Sequence, residues 1–395
     1  MRNLFSKVPL AWLNLTYNIK RLIIALLVLA LAVFLMFIQL GFRQALLDSN
    51  IEFIHQIDTD LILVNQRRYT SFMEQTFSKQ RLYQIQGFDG IKEAYPLYIG
   101  TAIWKNKENN NERPIRVFGY PPESLSVLMP SLQQYGSLLQ IQDTVLADQK
   151  SRYEFGKLTT GKETELEGRK IKVVGTFELG TDFVADGNLI VSDQNFLRLF
   201  VNRPSGVEAN IRKSLNQVDL GLLKIKANYS PEAFIKPLKK VLPPDVEILT
   251  KDAFIQRELN YWNQSTPIGF MFGLGTVIGF VVGTIVVYNI LYTDIGENLP
   301  QYATLKTMGY PHSYLSKLVL QQGIILGVLG FFPGWCITVL SYQGIGEATG
   351  LIMQMNRLII ILVFCLTLMM CILSGMLAIR KLKRVEPVEV FGQNV

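Results

Sequence analysis

Histidine and cysteine are nearly missing from this chain: its 395 residues include two histidines and three cysteines. His55 and His312 lie far apart, and Cys336, Cys365 and Cys371 all fall toward the C-terminal end. No spacing among them resembles a set of metal ligands. The long central stretch has no disulfide to staple it and must hold together by packing. Charge is absent from four runs, 22–42, 268–292, 318–340 and 358–379, which are 21 to 25 residues long and contain no Asp, Glu, Lys or Arg. Helices of that length and purity cross about 30 Å of hydrocarbon with every backbone polar group satisfied internally. The expected class is therefore an α-helical membrane protein with four transmembrane helices and a large α+β extracytoplasmic domain inserted between helices 1 and 2. Metalloprotease, nucleophile-elbow and paired-carboxylate patterns are missing or unsupported, so no catalytic, cofactor-binding or metal-binding residue is assigned. The spans also lack the buried ionisable group that proton-driven transport usually needs.

The charge that is present orients the chain. Residues 1–21 carry Arg2, Lys7, Lys20 and Arg21 without an acid, and the tail 380–395 carries Arg380, Lys381, Lys383 and Arg384 against Glu386 and Glu389. With the balanced loop 293–317 these flanks hold a net +6, whereas residues 43–266 hold 28 basic and 27 acidic residues. The bias places both termini and the 293–317 loop in the cytoplasm and the large domain outside. Most of the formal charge of +7 is thus a topology signal, and no basic cluster interleaved with aromatics suggests nucleic acid as a partner. The first run is too long for a cleaved signal peptide, and Gly41-Phe42-Arg43 follows it in place of a small-x-small site.

These boundaries divide the chain into a cytoplasmic interfacial helix or simple positive flank (1–21), span 1 (22–42), the outward domain (43–266), span 2 (267–292), a cytoplasmic loop (293–317), span 3 (318–340), a short outward loop (341–357), span 4 (358–379) and a cytoplasmic tail (380–395). Trp12 and Tyr17 suit headgroup depth in the first segment. Span 1 is expected to continue as helix through Arg43–His55. In the domain, Leu61–Val64, Ala94–Trp104, Arg116–Gly119, Val173–Phe177 and Leu189–Ser192 read as strands, with a polar turn at Asn106–Glu112. A tidier unit follows: strand Gly221–Ala227, helix Pro231–Val241, a Pro243-Pro244-Asp245 break, strand Val246–Leu249 and helix Lys251–Trp262. The expected division is a module of 50–130 and 205–265 with residues 131–204 inserted.

Segment 156–163, GKLTTGKE, imitates a phosphate-binding loop, but Glu163 stands where a magnesium-holding hydroxyl is needed. The β-like residues after it predict a surface hairpin. Span 2 places Gly269 and Gly273 four apart and Gly275, Gly279 and Gly283 in a second ladder at the same spacing. Span 3 adds Gly323, Gly327, Gly330 and Gly334. Small residues at this spacing let backbones approach closely, which predicts a packing seam within the monomer or at a dimer interface. The loop 293–317 reads as helix from Leu299 to Met308, ended by Gly309 and Pro311. It suits the grip of a soluble partner or a turn resting on the membrane.

Together these features resemble the permeases of the macrolide-exporter (MacB/FtsX-like) class of ABC transporters. The stretch Ala303-Thr304-Leu305-Lys306-Thr307-Met308-Gly309-Tyr310, preceded by Asp294 and Glu297, is similar to the family's cytosolic coupling element between spans 2 and 3. Here Pro300-Gln301 stands where relatives often have Arg-Glu. The ending Arg384-Val385-Glu386-Pro387-Val388-Glu389-Val390-Phe391 resembles the family's ending. Phe177–Phe200 and the N-terminal segment look like the DevC-type branch, the permeases of the cyanobacterial heterocyst exporter, linked to glycolipid export. The resemblance implies a non-catalytic permease in a bacterial, cyanobacterial inner membrane, with ATP and Mg on a separate ABC ATPase subunit. It further implies a homodimer with a second copy, a periplasmic membrane-fusion adaptor, a TolC-like outer-membrane channel, and efflux of a lipid or other envelope substrate by mechanotransmission. It assigns ATPase coupling to Asp294, Glu297, Thr304, Leu305, Lys306, Met308 and Tyr310. A lipoprotein-releasing permease, or a non-transport relay acting on an external partner, shares the same span order.

Overall fold

The computed structural model describes residues 10–107, 109–124, 129–182, 184–200 and 215–383. The start of the interfacial segment, residues 201–214 and the tail from 384 lie outside them. The chain forms two compact units: Met1–Gln44 with Ile268–Gly344 and Met353–Val395, and Ala45–Pro267 with Ile345–Ile352. Helix α1 (Leu10–Tyr17) buries Ala11 and Leu15. It stops at Asn18, whose side-chain oxygen accepts the Arg21 amide at 3.3 Å and starts α2 (Ile19–Gln56). At 38 residues α2 is about 57 Å long, far longer than its apolar run requires, and it passes through Arg43–His55 as helix.

The domain begins with β1 (Leu61–Asn65), β2 (Phe77–Ser78), α3 (Gln80–Gln86), β3 (Ile91–Lys105) and β4 (Glu112–Tyr120). It continues with β5 (Thr144–Asp148), β6 (Glu163–Leu166), β7 (Arg169–Phe177), β8 (Asn188–Ser192), α4 (Asp193–Phe200), β9 (Gln217–Val218) and β10 (Leu220–Ile225). α5 (Pro231–Val241), β11 (Val246–Thr250) and α6 (Lys251–Asn260) close it. The large sheet runs β11-β1-β10-β3-β4-β8-β5-β7-β6, and a further β3–β6 pairing returns the last strand to β3. Two substructures therefore share β3. Its first half, Ile91–Leu97, pairs with β10 in a four-stranded antiparallel sheet with helices α3 and α5 in its connections, the split βαβ order of ferredoxin-like sheets. Its second half, Tyr98–Lys105, pairs with β4 and with β6, closing a ring of six strands that leaves no free edge.

The expected insertion at 131–204 is thus too narrow, because β4 already belongs to the ring. A strand of 15 residues spans about 50 Å and serves both sheets, so the boundary falls inside β3 and not in a loop. The ring is buried on both faces at period two. Ile115, Val117, Val145, Ala147, Leu189 and Val191 enter one core, while Phe118, Leu146 and Ile190 enter the other. Gly100 and Gly119 let Phe196 and Phe200 of α4 lie against the sheet: a Cβ at Gly119 would sit 2.5 Å from the Phe196 ring. The segment 156–162 has no helix after it; it leads into the β6–β7 hairpin that turns at Glu167-Gly168, so the phosphate-loop imitation has no amide cradle.

Buried charge anchors the loop between β7 and β8. The Asp148 carboxylate accepts the amides of Leu179 and Gly180 and the Asn188 side chain, all within 3.0 Å, although burial raises its pKa. Arg116 pairs with Asp182 and stacks 3.7 Å above the Phe72 ring. Thr181 Oγ1 donates to the carbonyl of Thr349, which follows span 3.

The membrane unit adds α7 (Pro267–Glu297), α8 (Leu299–Thr307), α9 (His312–Thr349) and α10 (Arg357–Lys383). With α2, helices α7, α9 and α10 are long and apolar enough to span a membrane. Helix α9 is held tightly. A Cβ at Gly334 would lie 2.8 Å from the Ala30 carbonyl of α2, and one at Gly323 would lie 3.0 Å from the Cys371 carbonyl of α10. The Tyr342 hydroxyl donates to the Phe37 carbonyl at 2.6 Å, and Ser374 Oγ of α10 donates to the Thr284 carbonyl of α7.

Candidate coupling surface

α8 is a short helix with two different faces and a defined end. Pro300 suits its first turn, where a missing N–H costs nothing. At its end, Gly309 takes φ +87°, its amide donates to the Lys306 carbonyl, and the Tyr310 amide donates to the Leu305 carbonyl. This paired closure is a Schellman motif, and the left-handed residue is the glycine that such a turn requires. Tyr302 and Ala303 are buried in the helical bundle, and Leu305 is half-buried against the same core. Thr304, Lys306 and Thr307 are exposed, as are Met308 at 69 % and Tyr310 at 41 %. An exposed methionine beside hydroxyls and a lysine makes an adaptable apolar contact with a polar rim.

The candidate residues separate by role. Asp294 sits within α7 and is buried, since the helix continues past the apolar run to Glu297. Its carboxylate accepts Gln322 Nε2 of α9 at 3.0 Å, and Asn298 Nδ2 lies 3.3 Å from its other oxygen. Glu297 pairs with Arg21 at 2.6 Å, and Arg21 also donates to the Ile290 carbonyl at 2.8 Å. These two acids therefore bind α7 to α2 and α9, although the Glu297 side chain stays largely exposed, while Thr304, Lys306, Thr307, Met308 and Tyr310 present side chains outward. Arg21, Asn298 and Gln322 were missing from the sequence assignment. In the sequence Arg21 is one of the basic residues before span 1, but its partners Glu297 and Ile290 lie hundreds of residues away. A cavity of about 180 Å³ lies beside these groups, lined by Asn14, Asn18, Arg21, Asp294, Glu297 and Gln301 among others.

The glycines of span 2 also divide. A Cβ at Gly275 would meet Gln39, one at Gly279 would lie 3.2 Å from Met36, and one at Gly283 would lie 2.6 Å from Met370 and 3.2 Å from Ala32. This ladder seats α7 against α2 and α10 of its own chain. Gly273 has nothing within 4 Å, and Gly269 is half-buried. Among the described residues no group of three or more His, Cys, Asp or Glu side chains is placed to hold a metal ion.

Comparison with known proteins supplies the family. Residues 22–240 match the MacB-like periplasmic core domain, and residues 273–387 match the FtsX-like permease C-terminal region. Among solved structures, the periplasmic region of MacB from Actinobacillus actinomycetemcomitans is 15 % identical, with 51 % of this chain and 94 % of that one covered at a TM-score of 0.36. The extracellular domain of the noncanonic ABC-type transporter YknZ from Gram-positive bacteria is 10 % identical over 48 % of this chain and 98 % of that one, at 0.31. A domain of a permease protein from Porphyromonas gingivalis is 14 % identical over 49 % and 89 %, at 0.32. The two family regions together take in three spans, most of span 2 and most of the domain between the first two, and the chain belongs to the MacB/FtsX-like permease family of ABC transporters.

Proposed function

We propose that this chain is the permease subunit of a tripartite exporter, driven by a separate ATPase that grips α8 from the cytoplasm. The observation that carries the reading is the two-faced, capped α8, fixed to the bundle by Tyr302 and Ala303 and presenting Thr304, Lys306, Thr307, Met308 and Tyr310 outward. Closure of the ATPase pair around ATP and Mg displaces α8. The Arg21–Glu297 and Asp294–Gln322 contacts pass that displacement to α2, α7 and α9, and so to the chain that enters and leaves the outward domain. Both termini are cytoplasmic, two copies pair, and the domain engages a membrane-fusion adaptor leading to a TolC-like outer-membrane channel. The cargo is a lipid or other envelope substrate; the stretch Phe177–Phe200 favours the glycolipid-exporting cyanobacterial branch. The chain itself is non-catalytic, as permeases of this family are.

The test is co-purification with the ATPase and turnover of the assembled complex. Met308→Asp places a charge where the ATPase contact excludes water. It is expected to lose ATPase binding and stimulated turnover about tenfold, while Lys236→Gln on the exposed face of α5 leaves both unchanged. Full binding and turnover with Met308→Asp would remove α8 as the coupling surface.

A further inference from the structure

The chain leaves the domain for span 2 through an irregular joint. α6 ends at Asn260, residues Tyr261–Ser265 form a π-helical turn, Thr266 is extended, and Pro267 opens α7. The proline explains the extended residue before it, since its ring disfavours helical geometry there. Proline does not explain the widened turn, which is uncommon and costs hydrogen-bond quality. Across the turn the Thr266 hydroxyl donates to the Trp262 carbonyl at 2.7 Å, and just before it stands Glu258, whose side chain is fully buried. One carboxylate oxygen accepts the Trp262 indole N–H at 3.1 Å and the other accepts the Ser71 amide at 2.7 Å. Trp262 lies within the π turn, and Ser71 lies in the loop between β1 and β2.

That loop is itself rigid. Arg68, 1 % exposed, donates to the carbonyls of Thr70, Ser71, Gln75 and Asp219 and pairs with the Asp219 carboxylate at 2.9 Å. The second Asp219 oxygen accepts the Ile99 amide of β3 at 2.8 Å. Glu258 therefore grips the π turn from one side and a loop locked to the sheet from the other. Such a buried carboxylate is costly unless its hydrogen bonds are complete.

We propose that Glu258 is a positioning residue for coupling: by holding Trp262 to Ser71 it ties the π turn, the last stretch of the domain before span 2, to the loop between β1 and β2. This deepens the coupling function proposed above and rests on it. Burial raises the Glu258 carboxyl from 4.5 to about 7, with the Ser71 and Trp262 donors and Arg68 opposing the rise. The charged groups facing it are Arg68, with Glu74 acting on Arg68 and Asp219 paired to it; the π turn adds no acid or base beyond the Tyr261 phenol. Arg257, the preceding residue, is bound instead to Glu247 and the Gln66 carbonyl. Above about pH 7 both donors meet a charged acceptor. Below it a proton occupies one oxygen, and the clamp loses charge assistance.

The experiment uses the full chain in lipid nanodiscs with ¹⁵N-labelled tryptophan, the Trp262 indole resonance being identified by its loss in Trp262→Phe. The resonance is expected to shift between about pH 6 and about pH 8 with a midpoint near 7, and to be flat in Glu258→Gln. A flat wild-type response, or the same titration in Glu258→Gln, overturns the clamp. In the assembled complex, Trp262→Phe removes the indole donor and keeps an aromatic side chain, though a smaller one. It is expected to lower ATPase stimulation about tenfold, the size of one charge-assisted hydrogen bond. Glu258→Gln is expected to make stimulation independent of pH relative to wild type. If both variants couple normally while Met308→Asp does not, the clamp is wrong and the coupling function stands. If Met308→Asp also couples normally, the coupling function itself has failed.

Discussion

Gly334 and Gly273 show how little a residue type says until its neighbours are known. Both are helical glycines in membrane spans, but a Cβ at Gly334 would lie 2.8 Å from the Ala30 carbonyl, whereas one at Gly273 meets nothing within 4 Å. Backbone cannot rotate aside as a side chain can. Gly334→Ala should therefore lose about 1–3 kcal/mol to overpacking, partly offset by about 1 kcal/mol of helix propensity. Gly273→Ala should collect the propensity without the clash. The thermal midpoint of the purified chain in detergent is expected to fall in the first and to hold or rise in the second; equal midpoints would remove the close-packing argument. The four-residue spacing of these glycines was readable in the sequence, but the direction each one faces was not. Asp294 is a similar case. As the first charge after an apolar run it read as a surface contact, while its partner Gln322 is 28 residues away and only folding brings the two together.

At the scale of elements, α8 was the most readable. Its start at Leu299, its end near Met308 and the glycine that stops it all follow from local chemistry. The reading did not show which side of it is buried, and it placed Leu305 among the outward contacts, although Leu305 packs half-buried on the bundle. Position 308 is the cleaner probe for that reason. The cap also makes a prediction. Gly309→Ala has open space around it but must hold φ +87°, a strain of about 1–2 kcal/mol for a side chain with a Cβ. Amide exchange at residues 305–310 should accelerate, and Gly309→Asn should recover part of the protection. Unchanged exchange in Gly309→Ala would show that the cap does not hold the end of α8. Elsewhere, α5 matches the expected Pro231–Val241 because proline punctuates both ends. The hairpin expected after residue 163 is present as β6 and β7, whereas the short β2, β5 and β9 and helices α3 and α4 have no counterpart among the expected elements. Each of the latter has eight residues or fewer, too short for periodicity to separate them from loop. The expected helix Lys251–Trp262 takes in only the first two residues of the π turn Tyr261–Ser265, whose widened geometry no residue preference marks.

For the whole molecule, the apolar runs gave the four-span layout, since membrane thickness acts on sequence directly. The arrangement of the domain was not readable in the same way. A single long strand, β3, belongs to two sheets, and the ring closes through Trp104 and Lys105 pairing with Leu166 and Glu165, about sixty residues on. Stability of the domain carries a pH signature of its own. Because the folded Glu258 carboxyl titrates near 7 in place of 4.5, the folded domain keeps a proton that the unfolded chain has released. Its contribution to stability is full below about pH 4.5 and is lost as pH rises through about 7.

The central claim is that force enters at α8 on the ATP side and reaches a domain on the opposite side of the membrane. Cysteine accessibility tests it most directly, in a chain with Cys336, Cys365 and Cys371 replaced so that a single introduced thiol reports. Asn111→Cys, in the exposed turn before β4, should react with a membrane-impermeant maleimide in spheroplasts, and Gln301→Cys, on the exposed side of α8, only after the inner membrane is permeabilised. Labelling of position 301 in intact spheroplasts, or protection of position 111, would contradict the account.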